Sequence, residues 1–256
     1  MARSRDLELN EIGWWSHWAD VRWAGETSYV MFSSDFDEYF FNRAGFIDCG
    51  GGQEAVPKIE AEFEALAKPS CFSVQEKCGE VAAMLESRGY ATFDRMSVMQ
   101  LDRPDFKTAS GLTVLSGQEV GTAEWAAAYS LSFYGNTGKQ DSVSLIADRL
   151  RLEPSVTLFA AERDGKTLGV LAAFRTPGLL GVYCVGTLGK HRSMGVAGSL
   201  IHEASRMAAA EGRLLILQTI DSEKVEGFYA KGGCHRLYLK KLMRREVSGL
   251  NPRGRQ

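Results

Sequence analysis

The chain has 256 residues, 45% of them hydrophobic and 24% charged, with a formal net charge of −2. These figures exclude collagen-like, disordered and disulfide-scaffold classes, and the length leaves one large domain or two small ones. Arg3, Arg5, Asp6, Glu8 and Glu11 break up the N-terminus, and no apolar run reaches the ~18 residues of a membrane span, so neither a signal peptide nor a membrane segment is expected.

The first stretch is aromatic: Trp14, Trp15, Trp18 and Trp23 are followed by Phe32, Phe36, Tyr39, Phe40, Phe41 and Phe46. Such a density suits core packing, and a pocket for an organic substrate is the alternative. Residues 71–99 then set up a faint internal repeat with residues 215–243, at an offset of 144. Val81 meets Val225, Gly89 meets Gly233 and Met99 meets Met243, and both blocks read strand, helix, glycine turn, strand. Residues 101–107, with Pro104 and then Ser110-Gly111, read as a linker. Helices are expected over 117–132 and 141–152. A strand over 157–162, the turn Arg163-Asp164-Gly165-Lys166 and a strand over 167–174 form a hairpin. Pro177-Gly178 precedes a strand over 180–188. A helix over about 195–210 puts Val196, Ala197, Leu200, Ile201, Ala204, Met207 and Ala208 on one face. A strand over 214–219, a helix over 224–231 and a strand over 235–244 complete an α/β or α+β layer pattern.

Charge divides unevenly: residues 1–107 hold 11 basic and 19 acidic groups, and residues 108–256 hold 19 and 13. The basic half suits an anionic ligand, although uneven surface decoration gives the same count. Lys240, Lys241, Arg244 and Arg245 form a basic end that reads as edge-strand protection, and no nucleic-acid partner is expected. Five cysteines (Cys49, Cys71, Cys78, Cys184, Cys234) without a C-x-x-C pair suit a reducing, cytoplasmic setting. His17, His202 and His235 lack metal-ligand spacing, so no metal is expected.

The segment with the most chemical content follows the strand at 180–188. Lys190-His191-Arg192 lead into Ser193-Met194-Gly195-Val196-Ala197-Gly198, where small residues open a helix. Unpaired N–H groups and the positive end of a helix dipole make such a turn a phosphate cradle. Gly195, Ala197 and Gly198 allow close approach, while Arg192 and Lys190 add charge. The spacing is that of neither a P-loop nor a G-x-G-x-x-G dinucleotide turn, and Gly186-Thr187-Leu188-Gly189 is a weak echo of a nucleotide-binding turn.

Arg192-Ser193-Met194-Gly195-Val196-Ala197 resembles the Gln/Arg-x-x-Gly-x-Gly/Ala motif of the Gcn5-related N-acetyltransferases (GNATs). Phe228-Tyr229-Ala230-Lys231-Gly232-Gly233-Cys234 is similar to that family's F-Y-x-x-x-G-F block, with Cys234 in place of the final phenylalanine. The resemblance covers residues 110–246, and it reaches 1–107 only through the repeat. It implies a GNAT fold of two GNAT-like halves. Residues 1–107 would be a degenerate half that shapes the acceptor pocket, 108–247 the catalytic half and 248–256 a flexible tail. It also implies acetyl-CoA as co-substrate. The backbone of Val185 and Thr187 would meet the pantetheine arm, and the N–H groups from Arg192 through Gly198 (Ser193, Met194, Gly195, Val196, Ala197) would hold the diphosphate. Ser222 stands where many members have a pantetheine-contacting asparagine.

Tyr229 occupies the family's general-acid position: a phenol of pKa ~10 can protonate a departing thiolate. Its alternative is an aromatic packed in the core. No base is legible; Glu162, Tyr183, His191 and Asp221 are the candidates, and a water chain would serve equally. The N–H of Val185 could polarise the thioester carbonyl. The expectation is an acetyl-CoA-dependent N-acetyltransferase acting by direct attack on a small-molecule amine, cationic by virtue of the acidic first half. Two alternatives stay open: a non-catalytic CoA or acyl-CoA sensor, and a protein N-acetyltransferase. Oligomeric state and acyl-chain preference are not legible.

Overall fold

Residues 3–245 are described by the computed structural model, so the tail expected at 248–256 lies outside the described residues. The first half contains α1 (Ser4–Trp15), β1 (Asp20–Trp23), β2 (Ser28–Phe32), β3 (Arg43–Phe46), α2 (Gly52–Ala65), β4 (Cys71–Gln75), α3 (Gly79–Ser87) and β5 (Tyr90–Leu101). The second contains β6 (Thr113–Ser116), α4 (Thr122–Phe133), α5 (Gln140–Leu152), β7 (Val156–Arg163), β8 (Lys166–Thr176) and β9 (Leu179–Thr187). It closes with α6 (Val196–Ala210), β10 (Leu214–Ile220), α7 (Glu226–Lys231) and β11 (Cys234–Arg245). The expected hairpin is present, with Asp164 and Gly165 both at positive φ (52° and 68°), as its tight turn requires.

All the strands join one mixed sheet in the order β1-β2-β3-β4-β11-β5-β10-β9-β8-β7-β6. The repeat at offset 144 extends through the architecture. In both halves a parallel strand pair flanks a helix: β3 with β4 around α2, and β9 with β10 around α6. Gly51 and Gly195 cap those two helices in the left-handed region, at φ 69° and 87°. Gly89 and Gly233 do the same before β5 and β11, at φ 84° and 95°. The halves are nevertheless not side by side, because their last strands are exchanged. β11 pairs with β4 and β5, and β5 also pairs with β10. Leu101 faces Cys234 and Tyr90 faces Arg245, a reciprocal register under the same offset.

Side chains alternate along the central strands, so each face packs different helices. Val170, Ala172 and Tyr183 meet Trp125 and Tyr129 of α4, Leu150 of α5 and Trp14 of α1. Leu171, Ala173 and Val182 meet Leu200, Ile201 and Ala204 of α6. Trp14 and Trp18 are core residues, with the Trp14 ring stacked on Tyr183 at 5.0 Å; Trp23 is half exposed. Two of the five cysteines, Cys49 and Cys78, form a disulfide with Cα atoms 5.2 Å apart. The loop before α2 and the residue before α3 come together only through folding, so a separation of 29 residues carries no motif.

Helix α1 spans the seam between the halves, and Glu8, Asn10 and Glu11 on it are buried. Glu11 pairs with Arg43 of β3 at 2.6 Å and with Lys240 of β11. Glu8 pairs with Lys240 at 3.1 Å and accepts a hydrogen bond from the Tyr238 hydroxyl at 2.8 Å. Asn10 donates to the Thr176 hydroxyl and accepts from the Tyr183 hydroxyl, at 2.9 and 2.7 Å. Burial opposes the Lys240 ammonium, yet Glu11 and Glu8 together hold its pKa above the ordinary lysine value. Burial likewise works against Glu11, but Lys240 and Arg43 keep it ionised below the usual carboxylate range. Removing one partner from such a network strands a buried charge. Lys240→Met is expected to destabilise the fold by about 3–5 kcal/mol in urea unfolding at neutral pH, whereas a loss below about 1 kcal/mol would show that Arg43 and Tyr238 suffice to hold both carboxylates.

Candidate coenzyme groove

β9 and β10 run parallel and paired only from Leu179–Leu214 to Val182–Leu217. Beyond Val182 they diverge, while each keeps its other neighbour: β10 stays on β5 through Ile220, and β9 stays on β8 through Thr187. A bulge lies in β9 at this point, marked by the register shift opposite Val170/Ala172 and by Cys184 at φ 54°. Val185 and Thr187, expected to present backbone to a pantetheine arm, thus lie on an edge that β10 has left. Val185 and Tyr229 pack into the same apolar cluster on the α6 face.

Next to the divergence is the loop that opens α6. Ser193 and Gly195 are both left-handed, at φ 62° and 87°, and the helix has no side-chain cap. Alternating conformations of this kind turn successive N–H groups toward one side, and that concavity suits an anion. Arg192 is engaged elsewhere: its guanidinium donates to the Ser132 carbonyl at 3.1 Å and, at 3.5 Å, to that of Thr187, tying the loop to the end of α4.

Ser222 and Tyr229 line the other bank, in the turn after β10 and in α7. The Ser222 N–H donates to Asp94 Oδ1 at 3.3 Å. Tyr229 is buried, and burial, with Cys234 and Glu223 adding to it, raises its phenol above the ordinary tyrosine value, so the hydroxyl keeps its proton. Cys184 is also held as a thiol by burial. Among the base candidates, Tyr183 commits its hydroxyl to Asn10, and Glu162 accepts from Thr167 in the hairpin at 3.1 Å. His191 Nδ1 is buried without a partner among the described residues, and Asp221 is exposed. Thr219 was not expected here; its hydroxyl is buried and unpartnered in the diverging part of β10. The repeat contained the signal, since Thr219 falls opposite Gln75.

The first half holds the same arrangement, filled in. β3 and β4 pair only at Ala44–Phe72 and Gly45–Ser73 before separating. There the Gln75 amide donates across to the carbonyls of Phe46 and Ile47, at 3.3 and 3.5 Å. The Cys49–Cys78 disulfide joins the positions that correspond to Ser193 and Ser222, one on each bank.

The segment expected as a linker is packed along the groove as a strap. The N–H groups of Asp102 and Asp105 donate to the carbonyls of Gly233 and Gly232, and that of Ala109 to Ser199 Oγ at 3.0 Å. Phe106 meets the Phe228 ring at 5.2 Å. A Cβ on Gly198 would overlap the Lys107 carbonyl, and one on Gly195 would press on residues 107–109, so both glycines also serve this seat.

Residues 122–234 match the model of the acetyltransferase (GNAT) family. No curated protein matches the chain by sequence. Among solved structures, a GCN5-related N-acetyltransferase from Kribbella flavida superposes with a TM-score of 0.69 at 18% identity, covering 98% of each chain. One from Sphaerobacter thermophilus gives 0.65 at 16% identity, covering 87% of this chain and 81% of that one. A protein described as a tandem GNAT from the clavulanic acid biosynthesis pathway gives 0.58 at 13% identity, covering 82% and 76%. Gly198→Ala is expected to unseat the strap: trypsin should cut at Arg103 and Lys107 faster than in the wild type, and unchanged cleavage would refute the packing described.

Proposed function

We propose that the second half of this chain, whose residues 122–234 match the GNAT family model, transfers an acetyl group from acetyl-CoA to the amine of a small molecule. One observation carries this reading: β9 and β10 diverge beside the uncapped, left-handed entry of α6, with the buried phenol of Tyr229 on the opposite bank. The slot accepts an extended arm whose amides find unpaired strand edges. The N–H groups of 193–198 suit the diphosphate, the Arg192 N–H being already given to the Gly189 carbonyl at 3.4 Å, and Ser222 and Thr219 supply hydroxyls on the far side.

In the proposed reaction the neutral amine attacks the thioester carbonyl; a C–N bond forms and the C–S bond breaks. The Val185 N–H polarises the carbonyl oxygen, the Tyr229 phenol passes its proton to the departing sulfur, and the proton lost by the amine nitrogen returns through water to the Tyr229 phenolate. Cys184 is unsuited to an acyl-enzyme route because burial keeps it a thiol, which supports direct transfer. The first half serves the acceptor. Burial raises the phenols of Tyr134 and Tyr129 on the α4 side, and the carboxylate of Glu38 raises both further. A carboxylate there favours a cationic amine, in keeping with the acidic balance of residues 1–107.

The filled groove between β3 and β4 supports a single coenzyme per chain. Calorimetry should therefore give a stoichiometry of one for acetyl-CoA, abolished by Gly195→Glu; two equivalents would refute a closed first half. Tyr229→Phe should retain acetyl-CoA affinity while turnover of a cationic amine acceptor falls by about 10²–10⁴. Unchanged turnover would remove Tyr229 from the chemistry, and binding without any turnover in the wild type would make the chain a sensor.

A further inference from the structure

The strap between the halves forms one wall of a cleft of about 400 Å³, and the entry loop of α6 forms another. Strap residues 107–110 line it, together with Arg163 from the hairpin turn and Ser193 and Met194 from the loop. Lys107 is exposed and its ammonium has no partner among the described residues. Arg163 donates from Nη2 to the Ser110 carbonyl at 2.7 Å and from Nε to that of Gly111 at 3.4 Å, which fixes the guanidinium plane and leaves Nη1 free of a hydrogen bond. Among the described residues no carboxylate lines the cleft. Two cations, one held rigidly and one free, therefore meet beside the loop. The loop's own arginine is spent on Ser132 and Thr187, on the α4 side.

Resting on the function proposed above, we propose that this cleft binds the phosphate on the ribose of the coenzyme, with Lys107 and Arg163 as its ligands. The diphosphate occupies the N–H groups of the α6 entry, and the nucleotide end then lies within reach of whatever borders Ser193 and Met194. A phosphate monoester carries close to two negative charges at neutral pH, and charge-assisted contacts to Lys and Arg are the strong kind. The strap is thus a recognition element as well as a connection: the residues that join the halves read the coenzyme's nucleotide.

The test compares CoA with 3′-dephospho-CoA by calorimetry on the full chain. The wild type should bind CoA about tenfold more tightly. Lys107→Ala should lose that preference while keeping its affinity for dephospho-CoA. Lys166→Ala, on the same hairpin but outside the cleft, should keep the preference. Equal binding of the two by the wild type, with acetyl-CoA still bound, would overturn the phosphate site and leave the proposed function standing. No binding of either would overturn that function. A parallel loss of both affinities in Lys107→Ala would make the lysine a structural part of the strap. Inorganic phosphate should displace CoA only at far higher concentration, and tighter binding of phosphate alone would reassign the cleft to the free ion.

Discussion

The structure depends on one buried charge cluster. Glu8 and Glu11 of α1, Arg43 of β3 and Lys240 of β11 pair with one another away from water; Lys240 serves both carboxylates, and Arg43 ties Glu11 to β3 as well. Charges in such surroundings tolerate only one arrangement, because any slip in register leaves a group unpaired. The cluster therefore fixes where α1 lies, and α1 fixes much else. Asn10 holds Tyr183 of β9 by its hydroxyl, and Trp14 holds the same ring by stacking. Tyr183 immediately precedes the bulge at Cys184, so the strand edge that opens the groove is braced from the opposite face of the sheet.

The two halves solve one geometric problem in opposite ways. In each half the parallel strands that flank a helix part near where the helix begins, and the gap exposes backbone polar groups. In the first half the gap is closed by the Gln75 amide and bridged by a disulfide. In the second half Thr219 stands in place of Gln75, too short to cross, and serines occupy both cysteine positions. The loop is also longer there, running from Leu188 to Gly195 where the first half has only Ile47 to Gly51. Small substitutions at equivalent positions thus separate a packed structural unit from an open groove.

Much of this was legible in the chain itself. From α5 onward the second-half elements fall within a few residues of their expected bounds, because Asp164-Gly165, Pro177-Gly178 and the stripe from Val196 to Ala208 are local signals with local causes, whereas β6 was not expected and α4 begins five residues later than 117. The offset of 144 exposed the duplication from Val81, Gly89 and Met99 alone. What stayed hidden was long-range. Cys49 and Cys78 have no spacing that announces a bond, and Glu8, Glu11 and Lys240 look like ordinary surface charges. Residues 101–107 have the composition of a linker, and only the tertiary fold shows this segment packed against the glycines that border α6 and α7. Glycines attributed to phosphate access thereby gain a second steric reason that no local pattern encodes.

The exchange of β5 and β11 has a consequence for how the protein responds to dilution. Two separate copies trading their last strands would form a dimer whose stability falls with concentration. Here the traded strands belong to one polypeptide, and the short segment after Leu101 holds the partners at a high effective concentration whatever the amount of protein present. A symmetric dimer must also carry the same residue at both copies of every position. Covalent fusion lifts that requirement, so Gln75 can close one gap while Thr219 leaves the other open within a single continuous sheet.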